Sequence, residues 1–195
     1  MKQATVPASN PLPNSLYRRL MGTAWTDVDE AVRKSHLDGR LLRRVGSFRV
    51  QHGTSKLARL LLAIVRVPSG AEAVATELVI TPLARGERWV RKFGDETLIT
   101  TQTGRSGGVL IERISIVELS FRLDASDGAL IYRQIGAALR LGPLSVPLPE
   151  WLSPRVEARE EAEGLKTTHV SVVVTAPFVG QLISYDGQIH EEDLG

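Results

Sequence analysis

Gly86-Glu87-Arg88-Trp89-Val90-Arg91-Lys92-Phe93-Gly94-Asp95 opens the run whose reading decides the fold. After a Thr-rich stretch it continues as Gly107-Gly108-Val109-Leu110-Ile111-Glu112-Arg113-Ile114, then as Val117-Glu118-Leu119-Ser120-Phe121-Arg122-Leu123. These are short apolar/polar alternations separated by Gly-containing turns. A strand sends successive side chains to opposite faces, and Gly supplies the positive φ of tight hairpins, so the run predicts consecutive antiparallel strands.

Working outward, the same signal predicts strands over 73–81, 87–93, 96–103, 108–114, 117–124, 129–141 and 155–163, then a last pair over 165–176 and 179–191. Gly94-Asp95 and Asp127-Gly128 are the strongest two-residue turns. Leu144 to Pro154, with Pro143, Pro147, Pro149 and Pro154 around Trp151, is read as a crossover or flap without a regular ladder. So many strands must hide their edges, and twist makes closure the simplest way. The expected fold class is α+β, mostly β: an antiparallel meander forming a barrel-like or strongly curved sheet, with N-terminal helices packed on or in it.

Ahead of the strands, residues 1–14 read as a flexible lead-in, because Pro7, Pro11 and Pro13 deny it helix and ladder bonding. Residues 15–195 read as a single domain. Ser15 is expected to cap a short helix through Leu20. Thr26 begins a second, with Asp27, Asp29 and Glu30 in its first turn and Asp38-Gly39 at its end. The acidic trio is explained by capping and needs no metal. A strand over 40–51 follows, then a helix from Thr54 or Ser55 whose Leu57, Leu60, Leu61, Ile64 and Val65 share a face.

Composition narrows the function classes. Of 195 residues, 43% are hydrophobic and 24% charged, and the 24 basic and 22 acidic residues are interleaved, which is ordinary for a globular domain. With 5% aromatics and no basic run, there is no stacking platform or phosphate-tracking stripe for nucleic acid. Cysteine is absent, which removes disulfides and thiolate chemistry. The early residues lack the apolar segment of a signal peptide, and the 57–67 run is too short and too charged for a span. The expectation is a soluble, cytoplasmic protein.

Turn registry places candidate site residues. With Gly94-Asp95 at a hairpin tip, Trp89, Arg91 and Phe93 share the bulkier face and point inward. A buried guanidinium needs a carboxylate; Glu112 is the nearest by topology, and Glu157 the second choice. In the last hairpin, Val170, Val172 and Val174 share a face with Ile183, Tyr185 and Gly187. The other face carries His169, Ser171, Asp186 and His190, but a flat strand offers neither a strained nucleophile turn nor aimed backbone donors, so no triad is read there. Gly53-Thr54-Ser55-Lys56 does not fit the phosphate-loop template. No histidine spacing reads as a metal site, and no cofactor is called.

Five separated runs carry a family resemblance: 15–20; 86–94; 110–113; Pro147-Leu148-Pro149 with Trp151-Leu152 and 154–158; and Pro177, Val179-Gly180 with Tyr185-Asp186-Gly187. Together they resemble a bacterial domain-of-unknown-function family, DUF4166, whose members look like free-standing proteins or C-terminal extensions of saccharopine-dehydrogenase-like and DoxX-like membrane proteins. The resemblance gives weight to Trp89, Arg91, Glu112, Trp151, Arg155, Glu157 and Tyr185, and implies no catalytic residues.

The function expected is a non-catalytic binding module for a small apolar or amphipathic ligand. Its ligand-binding residues would be Trp89, Arg91, Phe93, Glu112, Trp151, Glu157 and Tyr185, with Arg91 and Glu112 as anchor and the Trp151 segment as lid. One alternative is an interaction domain docking a membrane or dehydrogenase partner. Another is an enzyme using Glu112 or Glu157 as general base.

Overall fold

The computed structural model describes residues 15–36, 41–59 and 70–192. Among them are strands β1 (Leu42–His52), β2 (Ala71–Leu83), β3 (Gly86–Phe93), β4 (Glu96–Arg105), β5 (Val109–Ile114), β6 (Val117–Ser126), β7 (Ala129–Leu141), β8 (Leu144–Pro147), β9 (Arg155–Ala162), β10 (Thr167–Ala176) and β11 (Gly180–Glu191). Every strand predicted by alternation is present to within a few residues. Apart from β8 and β9, neighbours in sequence pair in space; β7 also pairs β9 and β11 returns to β1, all antiparallel. The result is a closed ten-strand up-and-down barrel, with β8 attached to β7 outside the closed circuit.

Closure rests on close approach at the β1/β11 seam. A side chain at Gly46 would meet the Gln188 carbonyl oxygen at 1.9 Å, and one at Gly187 would meet the Ser47 carbonyl oxygen at 2.2 Å. Glycine at both inward positions lets these two backbones run against each other without a side chain between them.

The β7/β9 junction is looser. Only Leu130 to Arg133 ladder with β9. Beyond them the Gln134 amide takes over, donating to the Pro154 carbonyl at 2.7 Å and accepting from the Val156 amide at 2.7 Å. The upper part of β7 pairs β8 instead, from Leu141↔Leu144 to Ala138↔Pro147. This corrects the ladder-free reading of 144–154. Only Pro147 falls inside the ladder, at the last position of an edge strand, where its missing donor is tolerated.

The N-terminal segments close one end of the barrel. Helix α1 (Leu16–Met21) is capped by Ser15, whose Oγ accepts from the Arg18 amide at 3.1 Å. The second helix does not begin at Thr26: a 3-10 turn over Gly22–Asp27 comes first, and α2 is only Glu30–Lys34. Asp29 makes no side-chain cap; its amide donates to the Gly128 carbonyl at 2.8 Å and its carboxylate lies where a side chain at Gly128 would be. The Asp127-Gly128 turn thus docks α2 as well as joining β6 to β7. The expected end at Asp38-Gly39 lies outside the described residues. So does most of the helix from Ser55, of which residues 56–59 are described, with the Ser55 Oγ accepting from the Ala58 amide at 3.0 Å.

Candidate functional site

The barrel interior holds a chamber of about 200 Å³. Inward positions of nearly every strand line it, and its character changes along the axis. At the mouth, where the β3/β4, β5/β6 and β10/β11 turns lie, the lining is Phe93, Leu98, Ile114, Val117, Val156 and Val174. Phe48, Phe93 and Tyr185 pack edge-on or tilted, with ring centroids about 6 Å apart.

Midway along the chamber, Arg91 and Glu112 face each other, Arg91 Nη2 standing 3.6 Å from Glu112 Oε1. Alternation on β3 puts Trp89, Arg91 and Phe93 on one face, and β5 brings Glu112 around through the Gln102↔Glu112 register. Arg91 also donates from Nη1 to Thr100 Oγ1 at 3.0 Å, and its Cζ lies 4.7 Å from the Trp89 ring centroid. Burial by itself would weaken its hold on the proton, but Tyr185 and Glu112 outweigh that and hold its pKa above the ordinary value. Burial pushes Tyr185 up to about 12, against the pull of Arg91.

At the plugged end the polar groups form a continuous network. The Tyr17 hydroxyl donates to Gln102 Oε1 at 2.6 Å and lies 3.1 Å from the Tyr132 hydroxyl, which donates to Glu160 Oε1 at 2.7 Å. The other carboxylate oxygen of Glu160 lies 2.9 Å from His36 Nε2. An ionised carboxylate only accepts, so Nε2 carries the proton in that bond. Burial pushes the Glu160 pKa up, but its electrostatic attraction to His36, the His36 and Tyr132 hydrogen bonds and Arg44 together take it down to about 2. Burial, with Glu160 nearby, drives Tyr17 and Tyr132 well above the usual phenol range. The His36 ring sits 3.9 Å from Tyr17 and 5.6 Å from Trp89, and its Nδ1 finds no partner among the described residues. Arg44 donates to the Ile189 carbonyl at 3.0 Å.

Of the residues singled out by sequence, Trp89, Arg91, Phe93, Glu112 and Tyr185 line the chamber together. Glu157 and Trp151 do not. Glu157 points outward into a groove with Arg133 and Ser171, because β9 turns Val156, Ala158 and Glu160 inward. Trp151 is 65% exposed and borders an outer depression with Arg155 and Phe178, so it is no lid over the chamber. Sequence reasoning missed Tyr17, His36, Gln102, Tyr132 and Glu160. For Glu160 a signal existed, since it shares parity with Val156 and Ala158. His36 had none, its partner being 124 positions away.

His169 lies on the outer face, its Nε2 3.3 Å from Asp186 and its Nδ1 3.6 Å from Glu161. Among the described residues no cluster of three or more metal-ligating side chains occurs, and no helix is long and apolar enough to cross a membrane.

Comparison with curated proteins and with solved structures gives no match. The resemblance seen in the sequence has firmer support across most of its span, the run over 15–20 falling outside it: the model of a family described as a domain of unknown function (DUF4166) matches residues 28–189, and the chain belongs to that family.

Proposed function

We propose that this chain is a soluble, cytoplasmic, non-catalytic binding module whose ligand is a small amphipathic molecule held inside the barrel. The observation that carries this reading is the chamber of about 200 Å³, aliphatic and aromatic at its mouth and polar toward the plug. An apolar cavity of about 150 Å³ is enough to bind benzene, so this one suits a guest of about eight non-hydrogen atoms. Trp89, Phe93 and Tyr185 supply apolar wall, and Arg91 with Glu112 the polar anchor. Glu112 is paired with Arg91 and Glu157 faces solvent, which is not the isolated cleft carboxylate that a general base calls for.

Native mass spectrometry of the purified protein, together with a variant that fills the chamber, tests the reading. Val172 is buried and faces the chamber, and Val172→Phe places a ring in the void. The wild-type protein should carry a small guest, and the variant should lose it while keeping its melting temperature. Repeated preparations without a guest, and no response to small apolar probes, would refute the proposal.

A second reading has its own observation in favour. Trp151, Leu152 and Phe178 are 65%, 50% and 90% exposed at the mouth end, which suits a docking surface for a protein partner. The resemblance to extensions of saccharopine-dehydrogenase-like and DoxX-like proteins suggests which partners to try. Co-purification with such a protein, abolished by Trp151→Ser with Phe178→Ser, would support it; co-purification that survives the pair of substitutions would not.

A further inference from the structure

This inference rests on the binding reading above and concerns the chemical class of the guest. The lining carries the charged heads of Arg44, Arg91, Glu112 and Glu160; Arg159 also borders the chamber but turns its guanidinium out to Glu161 at 2.9 Å. Arg44 and Arg91 thus stand against Glu112 and Glu160, and His36, also in the lining, is hydrogen-bonded to Glu160 at 2.9 Å. Glu160 is committed, with Tyr132 on one oxygen and His36 on the other, and Arg44 is bonded to the Ile189 carbonyl.

Arg91 and Glu112 differ from that pattern. At 3.6 Å they attract each other electrostatically without a hydrogen bond between them. Their side chains are 13% and 14% exposed, and both line the chamber, so that surface opens into it. Thr100 and the Trp89 ring fix the guanidinium from other sides. The wall therefore presents a held donor beside an acceptor-only carboxylate, with their charges cancelled. A guest carboxylate would gain Arg91 but lie against Glu112; a guest ammonium would gain Glu112 but lie against Arg91. Either adds an uncompensated charge to a site away from bulk water, where such a charge is costly. A head with an acceptor next to a donor satisfies both groups and adds none.

We propose that the chamber receives an uncharged amphiphile, a primary amide or an alcohol on a short apolar body, whose oxygen accepts from Arg91 and whose N–H or O–H donates to Glu112. Balanced buried charges make this barrel select against the fatty-acid anion that a lone interior arginine would favour.

Calorimetric titration at neutral pH with hexanamide, hexan-1-ol, hexanoate and hexylammonium tests it. The amide and the alcohol should bind at least about tenfold tighter than either ion, a difference of about 1.4 kcal/mol. An ion that equals or exceeds the amide would overturn the assignment of the head group while leaving the binding reading intact. Glu112→Gln keeps the shape and removes the negative charge, so hexanoate should gain about tenfold and hexanamide should not. Hexanoate unchanged by that substitution would remove Glu112 as the discriminator and overturn the proposal. Should Glu112→Gln fail to fold, the wild-type series decides by itself. No binding by any of the probes would bring down the binding reading and this one together.

Discussion

The two ends of the barrel are built from the same alternation and end in opposite states. At the plugged end, inward positions are Gln102, Tyr132 and Glu160, joined with Tyr17 and His36 by bonds of 2.6 to 3.1 Å, and Arg44, bonded to the Ile189 carbonyl at 3.0 Å. At the mouth, inward positions are Leu98, Ile114, Val117 and Val174, and they surround a void. A buried polar group must find partners, so each one fixes its neighbours; an aliphatic side chain loses only a few weak contacts beside a gap. The contrast teaches that polar groups tie the closed end to itself, whereas the aliphatic lining of the other end tolerates, among the described residues, the chamber it surrounds.

Removing the carboxylate at the centre of the network should therefore have the largest effect. Glu160→Gln deprives Arg44 of a counter-charge and weakens the bond that His36 makes to the carboxylate, and breaking a buried pair from one side costs about 3 kcal/mol. Urea denaturation at neutral pH measures it. The same residue sets an acid limb. Its folded-state pKa is depressed from 4.5 to about 2, so its contribution is whole above about pH 4.5 and is lost as pH falls toward 2. Wild-type stability should drop across that window, and the drop should shrink in Glu160→Gln. An identical acid limb in both proteins would show that the plugged end is not held by this carboxylate.

The tyrosines sharpen the contrast without mutation. The chain has three: Tyr17 and Tyr132 in the network, Tyr185 in the chamber wall. All are raised by burial, Tyr185 to about 12 and the network pair well above the ordinary value. A near-ultraviolet titration of the native protein should show almost no phenolate at about pH 10, where free tyrosine is half ionised. Folded-state pKa values raised in this way contribute stability below about pH 10 that is lost as the pH rises beyond it. Substantial phenolate at pH 10 in protein that is still folded would mean that the interior is wetter than the geometry implies.

Much of this was legible from alternation. The hairpin at Gly94-Asp95 placed Trp89, Arg91 and Phe93 inside, and topology brought Glu112 to Arg91, because strand register is local and side-chain parity follows from it. The polar network was not legible, because it joins helices to strands across separations of 85 to 124 residues, which no short-range pattern encodes. The sequence reading names Glu157 as the second carboxylate after Glu112, whereas the apolar parity of Val156 and Ala158 points to Glu160. The strand β8 was hidden by flanking prolines, and the acidic first turn that suggested a helix from Thr26 is partly a 3-10 segment, with Asp29 turned toward Gly128.

Smaller effects belong to the mouth. Val174→Ala enlarges a space that already exists, so it should cost only about 1 kcal/mol, well below the loss at Glu160. A cost above about 3 kcal/mol would mean that the mouth is packed as tightly as the plug. The smallest effect should be a gain. Phe178 sits at the β10/β11 tip with φ at 64° and is 90% exposed, so its ring buries almost nothing and its backbone takes a conformation that favours glycine. Phe178→Gly should therefore leave the barrel unchanged and raise its stability by about 0.5 kcal/mol, measured as a small rise in the urea midpoint at constant slope. An aromatic that takes a strained backbone and buries almost nothing fits the docking surface proposed at the mouth end. A clear loss of stability in Phe178→Gly would instead make the ring part of the mouth's own packing, and the contrast between a self-sufficient plug and an unfinished mouth would fail at this position.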